Sequence, residues 1–450
     1  SEPVEPLGTL IEPAQAAYLI YTSGTSGTPK GVVVSHGAIA NYVQGVLEVI
    51  DPSPKATMAM VSTVAADLGH TTLFGALCSG RTLHLLSADR VMDADAFASY
   101  MAEHQVDILK IVPPHLSGLL QAAEPARVLP REALVLGGEA LPSALLSQVR
   151  ELNPDCRVFN HYGPSESTVG VLTTEPGDEQ DSIVPLGTPL PNIRAQVLSE
   201  ERLPLPLGAI GELYLSGAGL ARGYLGQPEQ TAAAFVDDPQ SSRERLYATG
   251  DRVRLLEDGR LSFHGRNDDQ VKVRGYRVSL GEIAQRIRAF DGVSDAHVQV
   301  DDNGLIVAYP LAAELDTEAM LSALALQMPD YMLPAHILPL AEFPLTPNGK
   351  LDRKALPQPE RQGEDFAAPL AGVETMLAEL WQSLLHVERV GRNDNFFSLG
   401  GDSIISLQVI ARARKQGVKL TPKQLFEKQT IAELAHVAEF QEAAAAPKSA

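Results

Sequence analysis

The sequence has very few cysteines and no long hydrophobic run. Only two of its 450 residues are cysteine, Cys78 and Cys156, which is too few for a disulfide framework or a cysteine-based zinc site and typical of a reducing cytosol. No stretch of about 18 consecutive apolar residues occurs, which argues against a membrane-spanning helix. The first ten residues, SEPVEPLGTL, lack the basic and apolar regions of a secretory signal peptide. We therefore expect a cytoplasmic protein.

Basic residues are scarce relative to acidic ones. The chain has 36 lysines and arginines against 56 aspartates and glutamates, which gives a formal net charge of −20. This charge argues against nucleic acid or an anionic membrane surface as a partner, although one local loop can still bind a small anion. The apolar fraction of 44% is that of an ordinary globular chain, and the length predicts two to four domains.

One stretch, YLIYTSGTSGTPKGVVVSH (18–36), has the composition of a phosphate-binding loop. The apolar runs at both of its ends predict two buried strands, and the glycines and proline between them exclude a regular helix or strand. Glycine-rich backbone N–H groups, hydroxyls and the charge of Lys30 can together surround an anion. The spacing differs from that of the common P-loop, and a plain flexible hairpin is the alternative interpretation.

Up to about residue 170, strand-like apolar runs alternate with helical segments, which predicts a parallel α/β layer. The predicted strands are 57–62, 82–87, 107–112 and 133–136, and the predicted helices include 92–103 and 142–151. In such layers ligands bind at the carboxyl ends of the strands. The loops expected at that edge are 110–114, 137–139 and 160–166.

After about residue 171 the pattern changes to short β-rich runs, then to mixed and helical segments. The runs at 193–198, 211–216, 252–256 and 261–264 predict a small antiparallel barrel or sheet. A compact α+β unit follows, with helices at 281–290 and 317–327 and strands at 296–300, 304–309 and 336–340. An acidic, proline-containing stretch at 357–371 predicts a linker. Residues 372–441 are expected to be helical throughout, as a small bundle.

Several independent motifs occur in a fixed order along the chain. They are YTSGTSGTPKG, NHYGPSES (160–167), GELYLSGAGLARGYL (211–225), YATGD (247–251), GRNDDQVKVRGYRVSLGEI (265–283), MPDYMLP (328–334), NGKLDR (348–353) and DNFFSLGGDSI (394–404). Together they make the chain resemble the adenylation domain of nonribosomal peptide synthetases followed by a peptidyl carrier protein, from about residue 15 to residue 441. Each motif alone is weak, but their ordered coincidence is specific.

The resemblance implies an α/β fold with an adenylate-forming large lobe of parallel α/β layers plus a small β-barrel, then a small α+β C-terminal lobe, then a helical-bundle carrier domain. The implied domains are a large lobe at 1–267 with a β-rich subdomain at about 171–265, a C-terminal lobe at 268–356, a linker at 357–371, a carrier domain at 372–442 and a disordered tail at 443–450. Only 17 residues precede Tyr18, so we expect the N-terminal part of the large lobe to be missing from this chain.

The resemblance also implies an ATP site. Its phosphate-binding residues are Thr22, Ser23, Gly24, Thr25, Ser26, Gly27, Thr28 and Lys30. Glu166, at a predicted strand end, is the expected ligand of Mg²⁺, with a solvated loop charge as the alternative. Tyr162 offers a flat face to adenine or simply packs in the core. Asp251 lies in a Thr-Gly-Asp turn from which it can accept the ribose hydroxyls, and Arg266 is the family's second ribose or phosphate contact.

Lys350 is the implied catalytic residue. The preceding Asn348-Gly349 predicts a turn that places this lysine at a loop tip, where a solvated lysine is the ordinary interpretation. Acyl-adenylate formation brings a carboxylate to the α-phosphate of ATP, and a mobile cation that neutralises the gathering charge lowers the barrier. Asp268 is the implied hinge about which the lobe carrying Lys350 rotates after adenylation.

Ser403, in Leu-Gly-Gly-Asp-Ser, is the implied attachment site of phosphopantetheine. The same residues also suit a helix N-terminus, and the two interpretations are compatible because such a terminus favours a phosphodiester. A separate phosphopantetheinyl transferase would install the arm, whose thiol then accepts the aminoacyl group.

The resemblance further implies which residues contact the amino acid. The pocket residues are Asp67, Leu68, Thr71, Lys110, Val135, Gly137, His161, Val169 and Gly170, together with Lys350. Asp67 occupies the family's position for the α-ammonium and Lys350 its position for the α-carboxylate. Lys110 and His161 are two potential cations between them, Thr71 is a hydroxyl donor, and the two glycines are expected to leave room.

These pocket residues favour a short acidic side chain, because a buried lysine needs an anionic partner. At an effective dielectric near 20, such a charge pair gives about 4 kcal/mol before desolvation. We therefore predict L-aspartate, with β-methylaspartate, β-hydroxyaspartate and asparagine as alternatives; the family's asparagine-type pocket carries an acid where this chain has His161. A Lys110 that extends its ammonium to solvent from a strand end is the structural alternative.

The predicted function is thus that of an adenylation–thiolation unit, with ATP, Mg²⁺ and covalent phosphopantetheine as cofactors. Expected partners are the amino acid, a phosphopantetheinyl transferase, a condensation domain or other synthetase modules, and an MbtH-like activator. Two alternatives stay open. An acyl- or aryl-CoA ligase shares the phosphate loop but would not need Asp67. A non-catalytic carrier scaffold would not need Lys30, Glu166, Asp251 and Lys350 together.

Overall fold

The computed structural model describes residues 10–22, 29–179, 181–267, 270–273, 276–301, 305–312, 315–344, 351–353, 355–359, 366–385, 387, 389–397, 399–401 and 403–440. Within these residues the chain forms an α/β large lobe, a β-rich subdomain, a small α+β lobe and a mostly helical domain, in the order expected. The predicted fold class is confirmed.

A β-hairpin opens the described part of the chain, formed by β1 (Ala16–Thr22) and β2 (Lys30–Ser35). The two strands pair antiparallel, so that Thr22 lies opposite Lys30 at the open end of the loop. Helix α1 (His36–Ile50) follows directly because the Ser35 side chain accepts a hydrogen bond from the Ala38 N–H and caps it. The two predicted strands are therefore confirmed, while Ser23–Thr28 between them lie outside the described residues.

A seven-stranded sheet carries the rest of the α/β layer. Its elements in chain order are β3 (Thr57–Met60), α2 (His70–Ser79), β4 (Thr82–Leu85), α3 (Ala88–Val91), α4 (Ala94–His104), β5 (Ile108–Ile111), α5 (Pro113–Leu119), β6 (Ala133–Gly137), α6 (Ser143–Leu152), β7 (Arg157–Tyr162), β8 (Leu172–Thr174) and β9 (Thr188–Pro189). The strand order is β4-β3-β5-β6-β7-β8-β9, parallel as far as β7 and antiparallel beyond it. The carboxyl ends of β3, β5, β6 and β7 consequently meet at one edge.

The central strands of this sheet are covered on both faces. Every residue of β5 and β6 is buried, as parallel strands under two helical layers require. One face packs with α1 in a core that includes Ile108, Val135 and Phe159. The other packs with α4 and α5 in a core that includes Leu109 and Leu134. The strands and helices predicted in this layer are found with ends within about two residues, but β7 was not predicted, and the loop expected at 160–166 begins only after Tyr162.

The β-rich subdomain is an antiparallel sheet. Its elements are β10 (Ile193–Leu198), β11 (Ile210–Gly217), β12 (Gly223–Tyr224), α7 (Pro228–Ala234), β13 (Phe235–Asp238), β14 (Ser241–Leu255) and β15 (Leu261–Arg266). Five of the strands follow the order β10-β11-β14-β13, with β15 also on β14, whereas β12 pairs with β2 of the hairpin. The long β14 therefore brings Asp251 opposite Arg266.

The small lobe is an α+β unit. It comprises β16 (Gln270–Val273), β17 (Tyr276–Ser279), α8 (Leu280–Arg288), β18 (Asp295–Val300), β19 (Ile306–Leu311), α9 (Thr317–Ala325) and β20 (His336–Ile337). Strands β18, β19 and β20 form one sheet, on which α8 packs through a shared core. The proposed hinge Asp268 and the proposed catalytic Lys350 both lie outside the described residues.

The C-terminal domain consists of α10 (Val373–Leu385), α11 (Ser403–Lys415), β21 (Val418–Lys419), α12 (Pro422–Glu427), α13 (Ile431–Val437) and β22 (Glu439–Phe440). The expectation of helix throughout is wrong here, because β21 and β22 pair antiparallel. Gly417 has a φ of +83°, a backbone conformation that ends α11 and turns the chain into β21. The predicted tail at 443–450 lies outside the described residues.

The C-terminal domain rests on the large lobe through α11. Leu407 of α11 is only 2% exposed and belongs to the core cluster formed with α4 and α5. Within the described ranges, no helix is both long and apolar enough to cross a membrane.

Candidate active site

A cavity of about 330 Å³ lies at the edge where the parallel strands end. The sequence-predicted residues on its walls are Thr22, Asp67, Leu68, Lys110, His161, Tyr162, Glu166, Val169, Asp251 and Arg266. They come from the hairpin, from two short 3₁₀ turns at Asp67–Gly69 and Ser165–Ser167, from β5 and β7, and from the β-rich subdomain. Side chains that are distant in sequence thus line one cavity. The volume of this cavity is within the usual range for small-molecule pockets.

Tyr162, Asp251 and Arg266 form one hydrogen-bonded group on the cavity wall. The Tyr162 hydroxyl donates to Asp251 Oδ2, and Arg266 Nη1 donates to Asp251 Oδ1. Arg266 Nη2 also donates to the Thr249 carbonyl at 3.0 Å, which holds the guanidinium in place. The carboxylate is thereby oriented from both sides, and each of its oxygens keeps a lone pair that a sugar hydroxyl could use.

Lys272 of β16 adds a cation to this group. Its Nζ lies 5.2 Å from the centroid of the Tyr162 ring, and Lys272 itself lines the cavity. One face of the tyrosine that we expected to stack on adenine therefore packs against an ammonium group. Lys272 was not among the sequence-predicted site residues, because a lysine in the polar 265–281 segment has no feature that separates it from a solvated one.

Glu166 and Lys30 both contact Tyr224. The Glu166 residue is buried and its Oε1 accepts a hydrogen bond of 2.8 Å from the Tyr224 hydroxyl. Lys30 Nζ lies 4.9 Å from the centroid of the same ring. Within the described residues, no group of three or more histidine, cysteine, aspartate or glutamate side chains could hold a metal ion. A single carboxylate completed by substrate phosphate oxygens is nevertheless how proteins commonly hold Mg²⁺, so Glu166 fits that ion.

The inner end of the cavity carries a chain of short polar contacts. Lys110 Nζ donates to Thr71 Oγ1 at 2.7 Å, and Thr71 Oγ1 lies 2.5 Å from the Tyr42 hydroxyl. The same hydroxyl lies 3.1 Å from His161 Nε2. Each of these four side chains is buried. The prediction that Lys110, Thr71 and His161 lie together is thus matched by the geometry, and Tyr42 of α1 joins them although it carried no sequence signal beyond a helical apolar position.

Burial controls the charges at this inner end. Desolvation lowers the pKa of Lys110 to about 7, although the nearby Asp67 carboxylate opposes the shift. Burial, and then the charge of Lys110, hold the pKa of His161 well below its usual range, so the imidazole is neutral. Lys110 is therefore buried rather than extended to solvent, and no anionic group of the described residues contacts its ammonium directly. A ligand that supplies an anion would stabilise the charged form.

Asp67 provides the opposite charge. The residue as a whole is half-buried, but its Oδ2 is inaccessible to solvent and has no hydrogen-bond partner among the described residues. Burial raises the pKa of the carboxyl, while a hydrogen bond from Ser165 and the charge of Lys110 lower it. A buried acceptor without a partner is costly, and an ammonium group in the cavity would satisfy it.

Three of the predicted pocket residues have other roles. Val135 is fully buried in the core beside Ile108 and Phe159. A Cβ on Gly170 would lie 1.9 Å from His161 Nε2, and one on Gly137 would lie 2.5 Å from the His161 carbonyl oxygen. The expectation that these glycines leave room for the ligand is therefore wrong, since the space they leave is filled by His161.

Several predicted residues cannot be placed at the site. Ser23, Gly24, Thr25, Ser26, Gly27 and Thr28, the hinge Asp268 and the catalytic Lys350 lie outside the described residues. For Ser403 the structure describes the backbone, which begins α11. Besides Tyr42 and Lys272, the predicted site residues did not include Tyr331, which lines the cavity, or Tyr224, whose hydroxyl donates to Glu166.

Two protein families match the sequence. Residues 3–225 match the family of AMP-binding enzymes, and residues 376–438 match the phosphopantetheine attachment site. Together these matches cover most of the large lobe's α/β layer and the C-terminal helical domain.

Long synthetases contain segments similar to this chain. The chain is 39% identical over 445 residues to malpinin synthetase of Mortierella alpina and 38% identical over 455 residues to tyrocidine synthase 2 of Brevibacillus parabrevis. It is 36% identical over 443 residues to surfactin synthase subunit 2 of Bacillus subtilis (strain 168). These alignments cover 93%, 99% and 97% of this chain, in that order. The chain spans only 6%, 12% and 12% of the length of these three relatives.

Solved structures share the fold across nearly the whole chain. The structure of holo-PA1221, a nonribosomal peptide synthetase protein containing adenylation and PCP domains bound to a vinylsulfonamide inhibitor, has a TM-score of 0.81 at 27% identity. That match covers 97% of this chain and 74% of the other. Holo-AB3403, a four-domain synthetase bound to AMP and glycine, has a TM-score of 0.52 at 34% identity, covering 94% of this chain and 32% of the other.

Proposed function

We propose, from the premise that the chain belongs to the nonribosomal peptide synthetase family, that it activates an amino acid and loads it on its own carrier. Within that family the chain is an adenylation domain followed by a carrier domain. ATP and the amino acid react to aminoacyl-AMP and pyrophosphate. The acyl group then passes to the thiol of phosphopantetheine attached at Ser403, with release of AMP. The observation that carries the proposal is the cavity whose walls hold Glu166 and Asp251 together with Asp67, Lys110 and His161.

ATP would lie across the wall formed by the β-rich subdomain and the hairpin. The carboxylate of Asp251, oriented by Tyr162 and Arg266, would accept the ribose hydroxyls. Lys30 and the loop 22–28 would surround the β- and γ-phosphates. Glu166 would hold Mg²⁺, which supplies positive charge to the phosphates when it is bound. Lys350 would stabilise the charge that gathers as the carboxylate attacks the α-phosphate.

We propose L-aspartate as the amino acid. Asp67 Oδ2, buried and without a partner among the described residues, would accept the α-ammonium group. At the inner end of the cavity, Lys110 would pair with the side-chain carboxylate, which restores the full charge that burial otherwise removes. Two opposite charges on the walls of one cavity match a short dicarboxylic amino acid. β-Methylaspartate and β-hydroxyaspartate present the same charges, and asparagine presents the same shape with an amide.

The substrate proposal is tested by ATP–pyrophosphate exchange on the full chain with a panel of amino acids. We expect aspartate to give the fastest exchange, with its β-substituted forms next and asparagine well behind. Leucine and phenylalanine should give almost none, because neither pairs with Lys110. Equal or faster exchange with asparagine, leucine or phenylalanine would overturn the aspartate assignment while leaving the adenylation activity in place.

The carrier function has its own test. After incubation with a phosphopantetheinyl transferase and CoA, intact-mass spectrometry should show the added arm, and a Ser403→Ala variant should lack it. Further partners that we propose are condensation domains or other synthetase modules and an MbtH-like activator. Arm addition without any pyrophosphate exchange, with or without such an activator, would favour a carrier scaffold over the proposed enzyme.

A further inference from the structure

Tyr42 of α1 contacts two residues of the amino-acid pocket but does not itself line the cavity. Its side chain is only 2% exposed, and its hydroxyl lies within hydrogen-bond distance of both Thr71 and His161. The Tyr42 and His161 rings are 5.8 Å apart and tilted by 59°, so the hydroxyl reaches the Nε2 edge of the imidazole rather than stacking on it. Tyr42 therefore links the lysine end of the pocket to its histidine end.

The hydrogens along this chain of contacts can be counted. The Lys110 ammonium has only donors, so the Thr71 oxygen accepts from it. Within the described part of the chain, Tyr42 is the one remaining partner near enough to take the Thr71 hydroxyl hydrogen. If Thr71 donates to Tyr42, then Tyr42 donates its own hydrogen to His161 Nε2. The opposite direction would leave the Thr71 hydrogen without an acceptor, which is costly in a buried site.

The direction of these bonds decides where the imidazole carries its hydrogen. A neutral imidazole has one N–H and one bare nitrogen, and a Nε2 that accepts from Tyr42 leaves the hydrogen on Nδ1. Nδ1 is buried and has no hydrogen-bond partner among the described residues, and His161 lines the cavity. The Nδ1–H of His161 is thus a buried donor without an acceptor among the described residues. We place the substrate side chain beside it.

Resting on the proposed function, we propose that Tyr42 is a positioning residue for substrate selection: it keeps the hydrogen of His161 on Nδ1, so that this N–H donates to the side-chain carboxylate of the activated amino acid. A carboxylate has only acceptors and satisfies both Lys110 and His161. An amide can satisfy one of them with its oxygen, but it turns its NH₂ toward the other donor. Tyr42 thus contributes to the choice of aspartate over asparagine without touching either.

The test is Tyr42→Phe, which removes one oxygen and keeps the packing of the ring. We expect the KM for aspartate in pyrophosphate exchange to rise about tenfold and the aspartate-to-asparagine preference to fall about tenfold. The KM for ATP and the kcat with saturating aspartate should change less than about twofold. These expectations follow because, without the Tyr42 hydroxyl, His161 can place its hydrogen on Nε2. The bare Nδ1 can then accept a hydrogen bond from the amide of asparagine.

Tyr100→Phe is the matched control. Tyr100 makes the same kind of contact, a part-buried hydroxyl 2.9 Å from His84 Nδ1 in the same lobe, and neither residue lines the cavity. The control should leave both KM values and the preference unchanged. An unchanged aspartate KM and preference in Tyr42→Phe, at any change of melting temperature, would show that Tyr42 only packs and would overturn the proposal.

A second measurement does not depend on activity. Histidine ¹⁵N shifts of the labelled full chain report which ring nitrogen carries the hydrogen, and the His161→Gln variant identifies the His161 signal. We expect the Nδ1–H form in the unmodified protein and a mixture in Tyr42→Phe and Thr71→Val, with Thr71→Ser like the unmodified protein. The Nε2–H form in the unmodified protein would overturn the proposal. If aspartate is not activated but the Nδ1–H form is found, the substrate assignment fails and the positioning by Tyr42 stands.

Discussion

Arg414 in the carrier domain forms an ion pair with Asp95 in the large lobe. Its other terminal nitrogen lies 3.3 Å from Asp93 Oδ2, and Asp93 is the residue that caps α4. Leu407, two turns earlier on the same face of α11, is buried in the large-lobe core. The helix that begins at Ser403 is therefore held on the lobe by the apolar packing of Leu407 and by the ion pairs of Arg414 with Asp93 and Asp95.

Reversing the charge of Arg414 should separate loading from adenylation. We expect Arg414→Glu to slow thioester formation on the carrier about fivefold, because a partly exposed ion pair contributes up to about 1 kcal/mol. Pyrophosphate exchange should not change, since the pair lies outside the cavity. The measurement is the rate of covalent loading with radiolabelled aspartate beside the exchange rate of the same preparation.

Arg412→Glu provides the control for this variant, because Arg412 contacts Ser383 within the carrier domain itself. It carries the same charge change on the same helix without a large-lobe partner in the described contacts. Raising the salt concentration should slow loading in the unmodified chain and not in Arg414→Glu. Equal loading by both variants would contradict a docking role for the pair.

The affinity for aspartate should fall as the pH rises through neutrality. Burial lowers the pKa of Lys110 to about 7, and only the protonated form attracts a carboxylate. Above that pH the empty pocket loses the charge, so the KM for aspartate should rise about 20-fold between pH 6.5 and 8.5. Two other groups face Lys110: burial and the charge of Lys110 hold the pKa of His161 well below its usual range, so the imidazole stays neutral, whereas burial raises the pKa of the Asp67 carboxyl.

Lys110→Met is the control for the pH profile. It fills a similar volume without a titrating group, so we expect a high aspartate KM that hardly changes with pH. Its melting temperature should stay the same or rise, because a buried ammonium is costly to desolvate. A KM for aspartate that is flat with pH in the unmodified chain would contradict the role of Lys110.

Changing His161 to glutamate should shift the preference toward asparagine. The new carboxylate would repel the side chain of aspartate and accept from the amide of asparagine. We expect the ratio of the two exchange rates to change at least tenfold in favour of asparagine. An unchanged preference for aspartate would mean that His161 does not contact the substrate side chain.

Gly170→Ala should damage the site through His161. The added Cβ would lie 1.9 Å from His161 Nε2, so the imidazole must move away from Tyr42. We expect a loss of about 1–3 kcal/mol in the free energy of unfolding, together with slower exchange. Gly177→Ala is the control, because no atom lies within 4 Å of its added Cβ, and it should be neutral within about 0.5 kcal/mol. Chemical denaturation of both variants provides the comparison.

The sequence by itself determined the elements, their order and the family. Strand and helix periods, glycine turns and ordered motifs are local signals, and they placed β5 and β6 correctly because burial on both faces leaves a continuous apolar run. They missed β7, whose last three residues were expected to lie in a loop, because its sequence RVFNHY mixes polar and apolar residues. The same local signals failed after α11, where a glycine turn lets two short strands pair across a domain expected to be all helix.

Only the tertiary structure decided what the chemical groups do. Sequence motifs brought Lys110, Thr71 and His161 to one pocket, but they did not bring Tyr42, which lies 119 positions from His161 and meets it only when α1 packs on the sheet. They also misread Gly170 and Gly137, whose missing side chains make room for the imidazole and for the backbone carbonyl of His161, in that order, rather than for a ligand. The direction of the Tyr42–His161 hydrogen bond, the lowered pKa of Lys110 and the space filled beside Gly170 all depend on atoms that come together only when the chain folds. No pattern along a single strand or helix predicts them.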